Sequence, residues 1–138
     1  MELPLSVIHN NICRGDILLS DFEGIDHKKF FVVMGISEDR VCGFFFINSN
    51  VHKSLYNKPE QLAMQYPLKK RDYDFLRYDS FLCASSVKEK SLSSIVEGIS
   101  SNTISIIGRL KDEHIAEVLA MVNSSIVISK RHKRIYFS

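Results

Sequence analysis

Two histidines stand directly beside lysines in segments whose composition is that of loops. His27 precedes Lys28 and Lys29, and His52 precedes Lys53. An imidazole titrates close to neutral pH and can therefore take up or release a proton during a reaction. The pattern makes both histidines candidates for proton transfer, and the alternative is a pair of solvated loops with no catalytic role.

Sequence motifs for other kinds of chemistry are missing. The chain has no P-loop, no GxGxxG after a strand, no HExxH, no GxSxG and no paired CxxC motif. Its five histidines are scattered without the spacing of metal ligands, and His114 falls in the first turn of a predicted helix, which favours an exposed structural role. We therefore expect no metal ion and no cofactor.

Length and composition predict a single domain over residues 1–138. Hydrophobic residues make up 45% of the chain and charged residues 25%, which is enough apolar sequence to build a core. Cys13, Cys42 and Cys83 are odd in number and widely spaced, so neither a disulfide framework nor a zinc site is indicated. Together with the lack of a long apolar segment or an N-terminal export signal, this favours a cytoplasmic protein with no membrane partner.

The elements that position the candidate residues begin with three strands. After a poorly defined lead-in over residues 1–13, Arg14-Gly15-Asp16 supplies turn residues before a strand at 17–22. The run 30–36 is apolar at every position, so both of its faces should be buried, and a third apolar run follows at 41–47. Three strands so closely spaced predict a small barrel or a strongly bent sheet.

The rest of the chain mixes short elements. Residues 51–79 are predicted to form an irregular insertion, with a short helix at 59–64 and an end to regular structure at Pro67. Apolar residues at helical spacing predict an amphipathic helix over 113–123, capped by Asp112. Further strands are predicted at 80–86 and 102–107, and a short helix or turn at 91–99. In the basic C-terminal segment at 124–138, residues 126–128 and 135–137 are predicted to add an edge strand or to pack as a terminal segment.

Five short pieces occur in the order found in one known family. They are Arg14-Gly15-Asp16-Ile17 with Asp21-Phe22, Phe31-Val32-Val33, Phe46-Ile47-Asn48-Ser49, Asp79-Ser80-Phe81-Leu82-Cys83, and Gly108-Arg109-Leu110-Lys111-Asp112-Glu113. Over residues 12–123 the chain thereby resembles the MazF/PemK-like toxin family, small dimeric SH3-like barrels that include sequence-specific messenger-RNA endoribonucleases. The resemblance implies a mainly β fold, an SH3-like barrel with a C-terminal amphipathic helix and short additional helices. It also implies a homodimer that cleaves single-stranded RNA and is neutralised by a cognate antitoxin.

Two departures from the family pattern fall near its active site. The family has an arginine followed by proline at the start of the second strand, where this chain has Lys29-Phe30. An acidic residue and a glutamine usually follow the penultimate strand, where this chain has Ala84-Ser85. A lysine lacks the two-pronged geometry that arginine brings to phosphate. The alternative to a nuclease is therefore a catalytically silent barrel that acts as a regulatory module by binding nucleic acid or protein.

Metal-independent RNA cleavage, which the resemblance implies, requires three groups. The ribose 2′-hydroxyl attacks the neighbouring phosphate, so one group must accept a proton, one must protonate the leaving oxygen, and fixed positive charge must stabilise the phosphorane. Lys29, with Lys28, is the candidate for the charge, and Asn48 or Ser49 for a second donor. The two histidines named above are the candidates for proton transfer, and the alternative places all these side chains in ordinary loop and turn positions.

The RNA must also be held, and recognition of single strands combines basic side chains with aromatic rings. The segment 66–75 interleaves the two kinds. In the alternative interpretation this segment is a surface connection anchored to the core by Tyr73, Phe75 and Leu76, with its lysines facing solvent. The predicted RNA-binding residues are Lys28, His52, Lys53, Lys69, Lys70, Arg71 and Tyr73.

Overall fold

The computed structural model describes residues 12–138, so almost all of the predicted lead-in at 1–13 lies outside the described residues. Within them, seven strands, four α-helices and two short 3-10 helices follow one another. They are β1 (Asp16–Ser20), β2 (Lys29–Ile36), β3 (Val41–Asn48), a 3-10 helix (Lys53–Leu55), α1 (Pro59–Leu62), β4 (Gln65–Leu68), a second 3-10 helix (Lys70–Asp72), β5 (Ser80–Cys83), β6 (Lys88–Ser91), α2 (Leu92–Ser100), β7 (Ile104–Arg109), α3 (Asp112–Ser124) and α4 (Lys130–Tyr136).

All seven strands belong to one antiparallel sheet. Its order is β4-β5-β3-β2-β1-β7, and β6 pairs with the first half of β3 while β5 pairs with the end of β3. Within residues 12–138 no pairing joins the outer strands β4 and β7, so the sheet is open. The prediction of a mainly β fold with short helices is confirmed, whereas closure of the sheet into a barrel is not seen in this part of the chain.

Strand β2 lies between two hydrophobic clusters. Val32 and Met34 pack into one cluster and Phe31 and Val33 into the other, because alternate side chains of a strand point to opposite faces. Helices α3 and α4 contribute to the first cluster and α2 contributes to the second. Both faces of the wholly apolar run are therefore buried, as predicted.

The turn before β1 joins the sheet to the C-terminal helix. The Arg14 guanidinium donates to the carbonyl oxygens of Met34 at 2.6 Å, Tyr136 at 3.0 Å and Ser138 at 3.1 Å. Gly15 follows with φ +94°, a backbone conformation that strains any residue with a side chain. The turn Arg14-Gly15-Asp16 therefore holds the C-terminal helix against the sheet in this chain.

The segment 51–79, predicted to be irregular, contains a strand of the sheet. Strand β4 pairs with β5, and Pro67 lies inside β4 opposite Phe81, so the prediction that regular structure ends at Pro67 is wrong. The missing N–H of proline is tolerated because β4 is an outer strand with an unpaired edge. The short helix predicted at 59–64 is confirmed as α1, which begins at Pro59.

The structure differs from the prediction in three other places. The basic C-terminal segment forms helix α4, capped by the Ser129 hydroxyl, which accepts from the His132 N–H at 3.1 Å. Residues 126–128 form no strand and pack instead as the predicted alternative has it, since Ile128 is buried in the first hydrophobic cluster. Strand β6 has the polar sequence KEKS and is held by its backbone pairing with β3. Asp112 is the first residue of α3 rather than its cap, and its carboxylate lies 3.8 Å from the Arg109 guanidinium.

The remaining predicted elements are confirmed with small shifts of their ends. Strands β1, β3, β5 and β7, helix α2 and helix α3 all lie within a few residues of their predicted positions. The three cysteines are free, and burial raises the pKa of the Cys42 thiol to about 11. None of the helices in residues 12–138 is long and apolar enough to cross a membrane.

Replacing Gly35 by alanine tests how tightly α4 is seated on β2. A Cβ atom at Gly35 would lie 2.7 Å from Cα of Tyr136 and 2.9 Å from its carbonyl carbon, so α4 would have to shift. We expect Gly35→Ala to lower the free energy of unfolding by about 1–3 kcal/mol in a urea titration. Gly108→Ala is the control, since a Cβ there meets nothing within 4 Å. Equal stability of the two variants would contradict this packing.

Candidate functional site

A cleft of about 670 Å³ opens at the end of the sheet where β2 begins and β3 ends. The loops on either side of these strand ends and the loop before β5 form its walls. Its lining residues are His27, Lys28, Lys29, Phe30, Ile47, Asn48, Ser49, Asn50, His52, Phe75, Leu76, Arg77, Tyr78 and Ser80.

Lys29 is held at the edge of this cleft by the pairing of β2 with β3. Phe31 pairs with Phe46, and the same register continued by two residues places Lys29 opposite Asn48. The Lys29 ammonium donates to Oδ1 of Asn48 and lies 5.3 Å from the centre of the Phe46 ring. Burial lowers the pKa of Lys29, against a smaller opposing effect of Cys83. The charge is therefore fixed in position and partly shielded from water.

The Asn48 side chain presents a hydrogen-bond donor to the cleft. Because an ammonium group can only donate, the atom of Asn48 that it contacts must be the carbonyl oxygen. The amide NH₂ of Asn48 then remains for another acceptor. Lys29 and Asn48 together offer a cation and a neutral donor, a combination suited to phosphate oxygens.

The two histidines have complementary hydrogen bonds. Nδ1 of His27 lies 3.0 Å from the Lys28 carbonyl oxygen, which can only accept, so Nδ1 carries the hydrogen and Nε2 of the neutral ring is free to accept a proton. Nδ1 of His52 accepts from the Ser54 N–H at 3.1 Å, so Nε2 carries the hydrogen in that neutral ring. Both rings are exposed on the cleft side of their loops.

Positive charge dominates the cleft. Lys28, Lys29 and Arg77 line it, and none of its lining residues carries a carboxylate. Among residues 12–138, no ion pair involves any of these three cations. A concave surface with cations and no neutralising carboxylate attracts anions.

Arg77 and Tyr78 line the cleft although the sequence analysis did not single them out. They follow the segment 66–75 after Leu76, and an Arg-Tyr pair continuing that alternation of basic and aromatic residues was the available signal. The Tyr78 side chain is 65% exposed. The cleft therefore contains an open aromatic ring beside its cations.

The other predicted RNA-binding residues lie outside the cleft. Lys53 begins a 3-10 helix, and Arg71 is exposed in the second such helix. The Asp79 carboxylate engages two more of them, since it lies 3.9 Å from Nζ of Lys69 and accepts from the Lys70 N–H at 2.9 Å. The structure thus brings together Lys28 and His52 from the predicted binding residues with the predicted catalytic residues His27, Lys29, Asn48 and Ser49.

Tyr73 is buried, with 6% of its surface exposed, and its ring is not open to a nucleobase. Its hydroxyl accepts from the Lys111 N–H at 3.0 Å and forms a hydrogen bond with Nδ1 of His114 at 2.6 Å. Burial raises the pKa of Tyr73. These contacts fit the alternative interpretation of Tyr73 as an anchor between the segment 66–75 and helix α3.

In residues 12–138 there is no group of three or more histidine, cysteine, aspartate or glutamate side chains arranged to hold a metal ion. A scan against models of protein families finds no match for the chain, and a search of curated proteins finds none either.

Substituting Tyr73 by phenylalanine tests its structural role. The change leaves the Lys111 N–H without its acceptor and Nδ1 of His114 without its hydrogen-bond partner in a partly buried position. We expect Tyr73→Phe to lower the free energy of unfolding by about 1–2 kcal/mol, measured by chemical denaturation. Tyr78→Phe serves as the control because Tyr78 is largely exposed, and it should leave stability unchanged. A Tyr73→Phe variant as stable as the parent would contradict the anchoring role.

Proposed function

We propose that this cleft binds single-stranded RNA and cleaves it without a metal ion, as a toxin-type endoribonuclease resembling messenger-RNA interferases. The observation that supports this most directly is the grouping of His27, Lys28, Lys29, Asn48 and Ser49 around one cleft free of carboxylates. These residues come from two strand ends and the loops beside them. Fixed positive charge, hydrogen-bond donors and imidazoles in one place are the groups that phosphodiester transfer requires.

In the proposed reaction, the ribose 2′-oxygen attacks the adjacent phosphorus while its proton passes to Nε2 of His27. The bond between phosphorus and the 5′-oxygen then breaks, and that oxygen takes a proton from the imidazolium form of His52. To reach this form, Nδ1 of His52 gives up the hydrogen bond from the Ser54 N–H and instead donates to the Ser54 hydroxyl, which lies 2.7 Å away. The products are a 2′,3′-cyclic phosphate and a free 5′-hydroxyl.

Lys29 and Asn48 have a different task in this scheme. Negative charge grows on the non-bridging oxygens as the phosphorane forms. The Lys29 ammonium and the Asn48 amide lie at the cleft edge and stabilise that charge. The Ser49 hydroxyl is a further hydrogen-bond donor beside them. Donors fixed before the reaction need no reorganisation when the charge develops.

We further propose that the chain is a divergent member of the MazF/PemK-like toxin family. The consecutive antiparallel strands β1, β2 and β3, the pairing of β7 with β1 and the helix that follows β7 are compatible with a strongly bent SH3-like barrel. On this proposal the protein acts in the cytoplasm as a homodimer. A cognate antitoxin inhibits it by laying an acidic segment across the cationic cleft.

A catalytically silent module that binds nucleic acid or protein is the second candidate, and the Lys29 environment favours it. The ammonium already has partners in Asn48 and the Phe46 ring, and a lysine holds phosphate with less orientation than the family's arginine. Ala84, at the position of the family's acidic residue, is fully buried and offers no acid or base. Binding without cleavage is the outcome that this candidate predicts.

Cleavage of a long single-stranded RNA in EDTA distinguishes the two candidates. We expect the parent chain to cleave and Lys29→Met to reduce the initial rate by about a hundredfold or more, because the variant lacks the charge that stabilises the phosphorane. Methionine retains the apolar stem of the side chain. Lys88→Met is the matched control, since Lys88 is an exposed lysine on β6 outside the cleft, and it should cleave like the parent.

Each other outcome has a definite meaning. RNA binding by the parent with no cleavage supports the silent module. Equal cleavage by the parent and Lys29→Met removes Lys29 from the site. A parent chain that neither binds nor cleaves single-stranded RNA contradicts both candidates. The thermal unfolding midpoints of all three proteins establish that any loss of activity is not a loss of fold.

A further inference from the structure

The ring of Tyr78 is exposed although its backbone is anchored on both sides. Leu76, two residues before it, is 4% exposed and donates its N–H to the Tyr73 carbonyl at 3.1 Å. Ser80, two residues after it, is 6% exposed, and its hydroxyl donates to the Tyr78 carbonyl at 2.9 Å. The neighbouring Phe75 ring packs 4.7 Å from Phe30. The Tyr78 side chain therefore projects from a fixed loop.

The surroundings of Tyr78 indicate what the ring can contact. It shares the cleft with Arg77, Lys28 and Lys29, and the cleft has no carboxylate. An aromatic face beside cations combines the two attractions that hold single-stranded nucleic acid: stacking on a base and charge on the backbone. An amphipathic ring with few rotatable bonds also loses little conformational entropy when a ligand orders it.

We propose that Tyr78 is a stacking platform for one unpaired nucleobase of the RNA, with Arg77 contacting an adjacent phosphate. This inference rests on the proposed function, and it adds a substrate requirement. A base stacked inside a duplex has both faces covered, so only an unpaired base can use the ring. Because every base has a π-face, stacking on Tyr78 tolerates different bases.

The chain contains a matched control for this proposal. Tyr56 is 62% exposed, close to the 65% of Tyr78, and it lies outside the cleft at the end of the first 3-10 helix. A general effect of removing an exposed tyrosine would appear equally in both positions. An effect confined to Tyr78 reports contact within the cleft.

Fluorescence anisotropy with a short labelled 2′-O-methyl oligouridylate measures binding, since the blocked 2′-oxygen prevents cleavage. We expect Tyr78→Ala to raise Kd roughly five- to hundredfold and Tyr78→Trp to retain affinity, as the loss of one stacked base predicts. Tyr56→Ala should bind like the parent. A 2′-O-methyl duplex should show no difference between the parent and Tyr78→Ala.

An abasic oligomer with the same backbone completes a double-mutant cycle. Tyr78→Ala should not change its affinity, because the partner of the ring is already missing. Equal weakening of the abasic and base-containing oligomers by Tyr78→Ala overturns the stacking assignment. So does a Tyr78→Ala variant that binds the base-containing oligomer like the parent while Arg77→Ala and Lys29→Met bind it weakly, a result that leaves the proposed function standing. No binding by the parent overturns the proposed function as well.

Discussion

The pairing of β2 with β3 is the constraint on which the rest of this structure depends. It buries an apolar strand between two hydrophobic clusters, and it brings the first residue of β2, Lys29, against the last residue of β3, Asn48. The buried residues of β2 and β3 stabilise the fold. The residues at the start of β2 and the end of β3 carry the functional groups of the cleft. The same register that sets the core therefore sets the candidate site.

The sequence sufficed to predict elements whose burial is visible locally. Strand β2 is apolar at almost every position, and helix α3 carries apolar residues at helical spacing, so the local sequence of each predicts its structure and its burial. The local sequences of strands β4 and β6 do not predict strands. Pro67 in β4 is tolerated only because it lies at an edge of the sheet, and the polar sequence KEKS of β6 is held by pairing with β3. Helix α4 depends on distant contacts to Arg14 and to the close approach at Gly35.

The same distinction explains how much of the site could be predicted. His27 to Lys29 and Asn48 to Ser49 flank paired strand ends, so neighbouring strands bring them together. The place of Arg77 and Tyr78 depends on the anchoring of their loop by Leu76 and Ser80, which no local pattern reveals. Tyr73 shows the converse, since an aromatic residue among basic ones is as compatible with an anchor as with a platform until its burial is known.

Mapping of the RNA contact surface by ¹H–¹⁵N NMR tests the central claim most directly, because the chain has a second basic surface on α4 for comparison. Titration with a 2′-O-methyl single-stranded oligomer should shift the amide signals of residues 27–30, 47–50 and 75–80 and leave those of Lys130–Tyr136 unchanged. Shifts concentrated on α4, with the cleft amides unaffected, would contradict the assignment of the cleft as the nucleic-acid site.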